Sequence, residues 1–235
     1  MPQSFDPEKR QLVRTAGLVV LSCCAPAMLS GTAFAEEKKG GGEEEVTPPE
    51  DLMREHGVLD RVLLIYEAGL RKFASREDFD PATLTQSAEV VRDFIENYHE
   101  KTEEQHVFPR FRTAGKMVDL VDTLLVQHLA GRRLTADILK LAPTSRGDAD
   151  AQRQLVMSIR AFIAMYRPHA AREDTDLFPK LRGLVSSNEY HAMAEDFEKE
   201  EHRLFGEDGF EKMVERVARL EEGIGIHDLK QFTPR

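Results

Sequence analysis

The chain has almost no cysteine. Cys23 and Cys24 are its only two, both near the N-terminus. Everything after them is free of thiols, which excludes a structural disulfide and a thiolate metal site there. Iron–sulfur clusters and cysteine-rich structural zinc are excluded with them, so any metal must be held by nitrogen and oxygen. Tryptophan is absent, and proline and glycine are sparse after residue 50. That scarcity of helix breakers, beside abundant Leu, Glu, Arg and Ala, favours helices. Positive charge is also short. The 235 residues carry a net charge of −10 and form no basic helix. Nucleic acid is therefore excluded as a partner, because phosphate binding needs clustered Lys and Arg. No apolar run is long and unbroken enough for a spanning helix.

What is present at the N-terminus reads as an export signal over residues 1–35, of the twin-arginine-like or Sec type. Lys9, Arg10 and Arg14 form a basic start, and an apolar run follows from Ala16 to Leu21 and on through Cys23 to Met28. Ala33-Phe34-Ala35 then supplies small residues for cleavage before Glu36. Lys9-Arg10-Gln11-Leu12-Val13 resembles a degenerate twin-arginine motif. A periplasmic or secreted protein is expected, with a membrane-anchored one as the alternative. Val20-Leu21-Ser22-Cys23 is a weak lipobox, and lipid at Cys23 is the one route foreseen to a membrane. Residues 36–47, charged and glycine-rich, are expected to be a disordered linker.

The fold is expected to be all-α. Thr47-Pro48-Pro49-Glu50 carries a capping residue, proline at the first helical position and Glu three after the cap. Leu52, His56, Leu59, Leu63, Tyr66 and Leu70 then step by three and four, which predicts a core-facing helix over about 48–74. Asp80-Pro81 starts a second helix with Val91, Ile95, His99 and Glu103 at intervals of four, limited by Pro109. A third, about 114–141, carries Met117, Val121, Leu124, His128 and Gly131. The fourth carries Leu155, Ile159, Phe162, Tyr166, His169 and Glu173 to near Phe178-Pro179, with a kink expected at Pro168. Short turns between long helices predict an up-down-up-down four-helix bundle. A fifth, C-terminal helix opens at the box Ser186-x-x-Glu189 and completes a domain of 48–205, followed by a helical extension and tail over 206–235.

The chemistry lies in a pattern that occurs twice. His99-Glu-Lys-Thr-Glu103 and His169-Ala-Ala-Arg-Glu173 each place His and Glu four apart, one turn from each other on one helix face. An acid follows each Glu (Glu104, Asp174), and Phe-Pro ends each block at the same distance. A single histidine precedes each block by a long gap, His56 and His128. A lone His on an apolar face is ordinarily a core residue. Four of them with two glutamates on core seams are another matter, because buried ionisable groups are costly unless paired or bound to metal. Imidazole with carboxylate suits Fe, Mn or Zn, and bridging carboxylates with terminal imidazoles are typical of a non-haem pair of irons.

The order His, His-x-x-x-Glu, His, His-x-x-x-Glu resembles the hemerythrin-like (HHE cation-binding) family over residues 50 to about 205. The resemblance implies a di-iron centre with an oxo or hydroxo bridge. In it His56, His99, His128 and His169 are terminal ligands, and Glu103 and Glu173 bridge. Oxygen carriers of the family have a second third-helix histidine four residues on; Arg132 stands there in this chain. The four-His, two-Glu set is closer to members linked to nitric-oxide stress and iron–sulfur repair. His202, in EKEEHRLFG, is included as a further metal-binding nitrogen, and His106 is weighed for the same place. Tyr166 is placed to donate to a bound oxygen species, or to pack in the core as Tyr66 does. The expected activity is binding of O2, NO or related reactive species. The alternatives are a di-iron redox enzyme consuming peroxide or NO and an iron-handling or repair protein. A ligand-binding protein is expected over a dedicated enzyme, with no specific protein partner.

Overall fold

The computed structural model describes residues 46–234. The expected export signal lies outside the described residues, as does the linker up to residue 45. Six helices account for nearly all of what is described, and no strand occurs among the described residues.

Helix α1, Pro48–Ser75, opens on a capping box: the Thr47 hydroxyl accepts from the Glu50 N–H, and the Glu50 carboxylate accepts from the Thr47 N–H at 3.0 Å. Two groups that a helix start leaves without intrahelical partners are thereby satisfied. Helix α2 is continuous through Ala82–Val90, Val91–His99, Glu100–Thr102, Glu103–Val107 and Phe108–Thr113, its second and fourth stretches wound as π-helix. Helix α3 is Val118–Leu141. Helix α4 is capped by Asp148 and runs through Ala149–Arg172, a π stretch Glu173–Leu177, and Phe178–Leu181. Helix α5, Ser187–Phe205, is capped by Ser186, and α6 is Gly209–Ile224.

Pro109 does not limit α2 as expected, since the helix passes through it to Thr113. Proline has no N–H, and its ring crowds the carbonyl four residues back. A widened turn meets both demands. The Phe108 N–H bonds the Glu103 carbonyl, five residues back rather than four. Pro179 repeats the device, with the Phe178 N–H on the Glu173 carbonyl. Each Glu-x4-Phe-Pro thus encodes a π turn that begins at the glutamate. Pro168 is accommodated inside α4 without ending it.

Two apolar clusters show how the helices stack. One gathers Leu52 from the start of α1, Phe108 and Phe111 from the end of α2, Val121 and Leu124 from the start of α3, and Leu177, Phe178 and Leu181 from the end of α4. The other gathers Val58 to Ala68, Leu84 to Tyr98, Ile138, and Leu155 to Tyr166 from the opposite parts of the same helices. Starts therefore meet ends all round. Met193 and Phe197 of α5 join the first cluster, and Val217, Leu220 and Ile224 of α6 join the second. Each large apolar side chain buried in this way contributes on the order of 2 kcal/mol. Between the clusters, in sequence and in burial, stand His56, His99, Glu103, His128, His169 and Glu173. Among the described residues no helix is long and apolar enough to cross a membrane.

Candidate metal centre

The six residues come from four helices, and each is at most 4% exposed. Every imidazole is held from behind through Nδ1. His56 meets Asp174 Oδ1 at 2.7 Å, His99 meets Glu55 Oε2 at 2.6 Å, His128 meets Glu104 Oε1 at 3.1 Å, and His169 meets Gln127 Oε1 at 2.9 Å. Asp174 and Glu104 as carboxylates, and the Gln127 amide oxygen, accept, which sets Nδ1 of His56, His128 and His169 as the donor. Between His99 and Glu55, whose carboxyl burial raises to about 8, one proton is shared. A rear partner fixes the direction of each Nε2, which in the neutral imidazole offers its lone pair inward.

The Nε2 atoms converge. Those of His56 and His99 lie 3.0 Å apart. Two lone pairs that close repel unless a proton or a cation stands between them. Glu103 places Oε1 at 3.6 Å from His99 Nε2 and Oε2 at 3.4 Å from His128 Nε2. Glu173 places Oε2 at 3.1 Å from His169 Nε2 and 3.5 Å from His56 Nε2. Each glutamate therefore touches one histidine from each half of the chain. Two three-donor groups result, His56/His99/Glu103 and His128/His169/Glu173, with donor atoms within 4.8 Å of one another. Both oxygens of both glutamates are buried without a hydrogen-bond partner, and so is His128 Nε2. Unpaired buried carboxylates cost several kcal/mol each. Such a donor set fits metal.

Without a metal the layer must share protons. Burial and then the charge of Glu173 hold the Glu103 carboxyl well above its ordinary range. Burial works on Glu173 in the same sense, but His169 and His56 outweigh it and hold Glu173 low. Burial would lower His56, yet Asp174 and Glu173 raise it to about 9. His128 is lowered to about 4, chiefly by burial. Burial and the neighbouring His56 hold His99 well below 6.5. A bound cation displaces these protons.

Arg132, one turn after His128, is engaged outside the layer. It bonds Glu104 Oε1 at 2.6 Å and pairs with Glu100 Oε2 at 2.7 Å. Glu100 in turn accepts from the Tyr166 hydroxyl at 2.6 Å. Tyr166 is thus committed to a carboxylate, while the buried Tyr66 hydroxyl has no hydrogen-bond partner and its ring packs edge-on against Phe162.

Of the residues expected from sequence, His202 alone is elsewhere: it is exposed on α5 and joins none of the donor groups. An imidazole there brings no nitrogen to a layer buried between helices. His106 is half-buried and edge-on to Phe197. Glu104 and Asp174 prove to be the rear partners of His128 and His56. Glu55, Gln127 and Glu100 were missed. A signal for the first two was present, since Glu55-His56 and Gln127-His128 repeat an acceptor immediately before each lone histidine.

A buried layer of histidine and glutamate in an all-helical protein defines a cation-binding helical domain. The family model described as the hemerythrin HHE cation-binding domain matches residues 47–181, and the chain belongs to that family. Uncharacterized protein Rv1995 of Mycobacterium tuberculosis (strain ATCC 25618 / H37Rv) is 44% identical over 220 residues, covering 93% of this chain and 86% of its own. Uncharacterized protein Mb2018 of Mycobacterium bovis matches to the same extent. No solved structure matches the chain.

Proposed function

We propose that the layer holds two iron ions in an up-down-up-down four-helix bundle extended by α5 and α6, and that the centre binds O2, NO or a related reactive species. The observation that carries this reading is the four unpartnered carboxylate oxygens of Glu103 and Glu173 set among four inward Nε2 atoms. Glu103 and Glu173 would bridge, and His56 with His99 and His128 with His169 would each serve one ion. Four imidazoles and two carboxylates leave coordination positions for small ligands, and iron supplies the redox change such ligands need. Burial limits what can enter, since residues at most 4% exposed admit a diatomic molecule more readily than a bulky substrate. With Arg132 tied to Glu100 and Glu104, no further nitrogen comes from α3. That favours the four-His, two-Glu class over an oxygen carrier. Export through residues 1–35 belongs to the same proposal, and a mature chain beginning at Glu36 is the expected result of N-terminal sequencing.

The test is metal content with an absorption spectrum after anaerobic iron loading, then O2 or NO. Two irons per chain with ligand-dependent bands are expected, and Glu103→Ala should lose the paired-iron spectrum. Less than one iron per chain after loading would overturn the reading.

A further inference from the structure

The helices are covered unevenly. α5 and α6 pack mainly on α1 and α2 and leave the outer side of α3 and α4 bare. Val126 and Leu129 stand there, one turn apart on α3, 64% and 55% exposed. Gly131 faces Tyr166, and Gln127 Oε1 bonds His169 Nδ1. That antiparallel pairing sets Leu129 level with Pro168 and Val126 level with Ala171, and both of these α4 residues are exposed too. Exposed apolar side chains are ordinary by themselves. The charges that flank this pair are not.

Asp122 lies four residues before Val126, and Arg133 lies four after Leu129. The stripe Asp122, Val126, Leu129, Arg133 steps by four, three and four, which keeps it on one side of the helix. In character it reads acid, apolar, apolar, base, so it is complementary to its own reverse. A contact about a two-fold axis sets residue i against j and j against i. With two copies of α3 antiparallel and centred between positions 127 and 128, each Asp122 meets Arg133 of the other copy. Each Val126 then meets Leu129 of the other copy.

Both charges are free to be used in this way. The Asp122 side chain is 54% exposed, and Arg112 bonds it through Oδ1 alone, with Nε at 3.2 Å. Arg133 is exposed and has no hydrogen bond or ion pair among the described residues. The register is specified as well. Beyond the stripe Asp119 meets Ala136, so no like charges are set opposite each other. A slip of one turn puts Asp122 against Asp137 in one direction and against Leu129 in the other, and a like-charge or charge-on-apolar match disfavours each.

We infer that the outer face of α3, flanked by Pro168 and Ala171 of α4, is a homodimer interface. A second copy of this chain docks antiparallel on Val126 and Leu129, and two Asp122–Arg133 pairs fix the register. One helix pair with its flanks lies at the low end of specific interfaces, near roughly 1,200 Å2 or below. The dimer is therefore weak, with a dissociation constant on the order of 10 μM. The interface stands whether or not the buried layer holds iron.

Sedimentation velocity of the whole chain over a concentration series tests this. The samples are the wild type, Asp122→Arg, Arg133→Asp, and an equal mixture of the two variants. The wild type should pass from monomer to dimer as concentration rises. Each variant alone sets like charges opposite each other twice and should associate at least ~100-fold more weakly. In the mixture the two substituted positions face each other, and so do the two native charges. Both pairs are restored, and a heterodimer of near wild-type affinity should return. The substituted residues are exposed, and circular dichroism checks that each variant is folded. A wild type that stays monomeric throughout overturns the second copy as occupant and leaves the face to a different molecule. A dimer that neither variant weakens lies on another face and overturns this one. Variants that are monomeric alone and stay so when mixed overturn the antiparallel register.

Discussion

Glu103 and Glu104 are neighbours in sequence and act on the two ring nitrogens of one histidine, His128, from opposite sides. Consecutive helical residues point about 100° apart. Glu103 therefore faces the Nε2 atoms, while Glu104 reaches Nδ1 of His128 on the next helix. Glu173 and Asp174 repeat the arrangement, with Asp174 on His56. Removing such a rear partner frees the imidazole to rotate and lowers its basicity. Asp174→Ala is expected to weaken metal binding roughly 10- to 100-fold while leaving the count at saturation unchanged. A chelator-competition titration measures it, and an unchanged affinity would show that Asp174 does not orient His56. The inner residues were legible in the sequence because His and Glu four apart share a face whatever surrounds them. The rear contacts of His56 and His128 were foreseen only as acids near the site. Which ring each one holds is decided by packing between helices, and spacing along one helix carries no record of that.

At the scale of the elements, the starts of α1 and α5 followed from their capping residues Thr47 and Ser186, and the end of α2 was misplaced at Pro109, where winding changes. A pattern of fours reads the same on an α-helix and on the π stretches Val91–His99 and Glu103–Val107, so the wide turns were invisible. His202 failed for a different reason: it was weighed by its chemistry, and the phase set by Met193 and Phe197 places Glu201, not His202, on the buried stripe. The seam between α3 and α4 shows how tightly elements fix the site. A Cβ on Gly131 would lie 1.9 Å from the Tyr166 hydroxyl oxygen and 2.6 Å from Cζ. The ring cannot retreat freely, because it packs against Phe162 and its hydroxyl is bonded to Glu100. Gly131→Ala should destabilise by about 2 kcal/mol through overpacking. Gly57→Ala, on α1 with nothing within 4 Å of the new Cβ, should instead stabilise by up to about 1 kcal/mol, since glycine costs entropy in a helix. Urea denaturation of the two variants gives both signs. A neutral Gly131→Ala would mean that Tyr166 is not held where it lies.

The whole molecule carries a net charge of −10, and part of that charge is buried where only protons or cations can relieve it. Asp51 makes this measurable. Burial first, then the charges of Glu55 and Glu201, push its carboxyl up from 3.8 to about 7. The native state therefore holds this proton more tightly than the unfolded chain does. Its favourable contribution is complete below pH 3.8 and is lost as pH rises through about 7. At pH 8 the ionised carboxylate works against the metal-free fold, and Asp51→Asn removes it. The chelated variant should therefore be more stable than the chelated wild type at pH 8 by about 2 kcal/mol, and nearly equal to it at pH 4. Urea unfolding at the two pH values, with chelator present, checks both steps. Parallel pH dependences for the two proteins would show that Asp51 ionises as freely when folded as when unfolded, and that its neighbours do not crowd it.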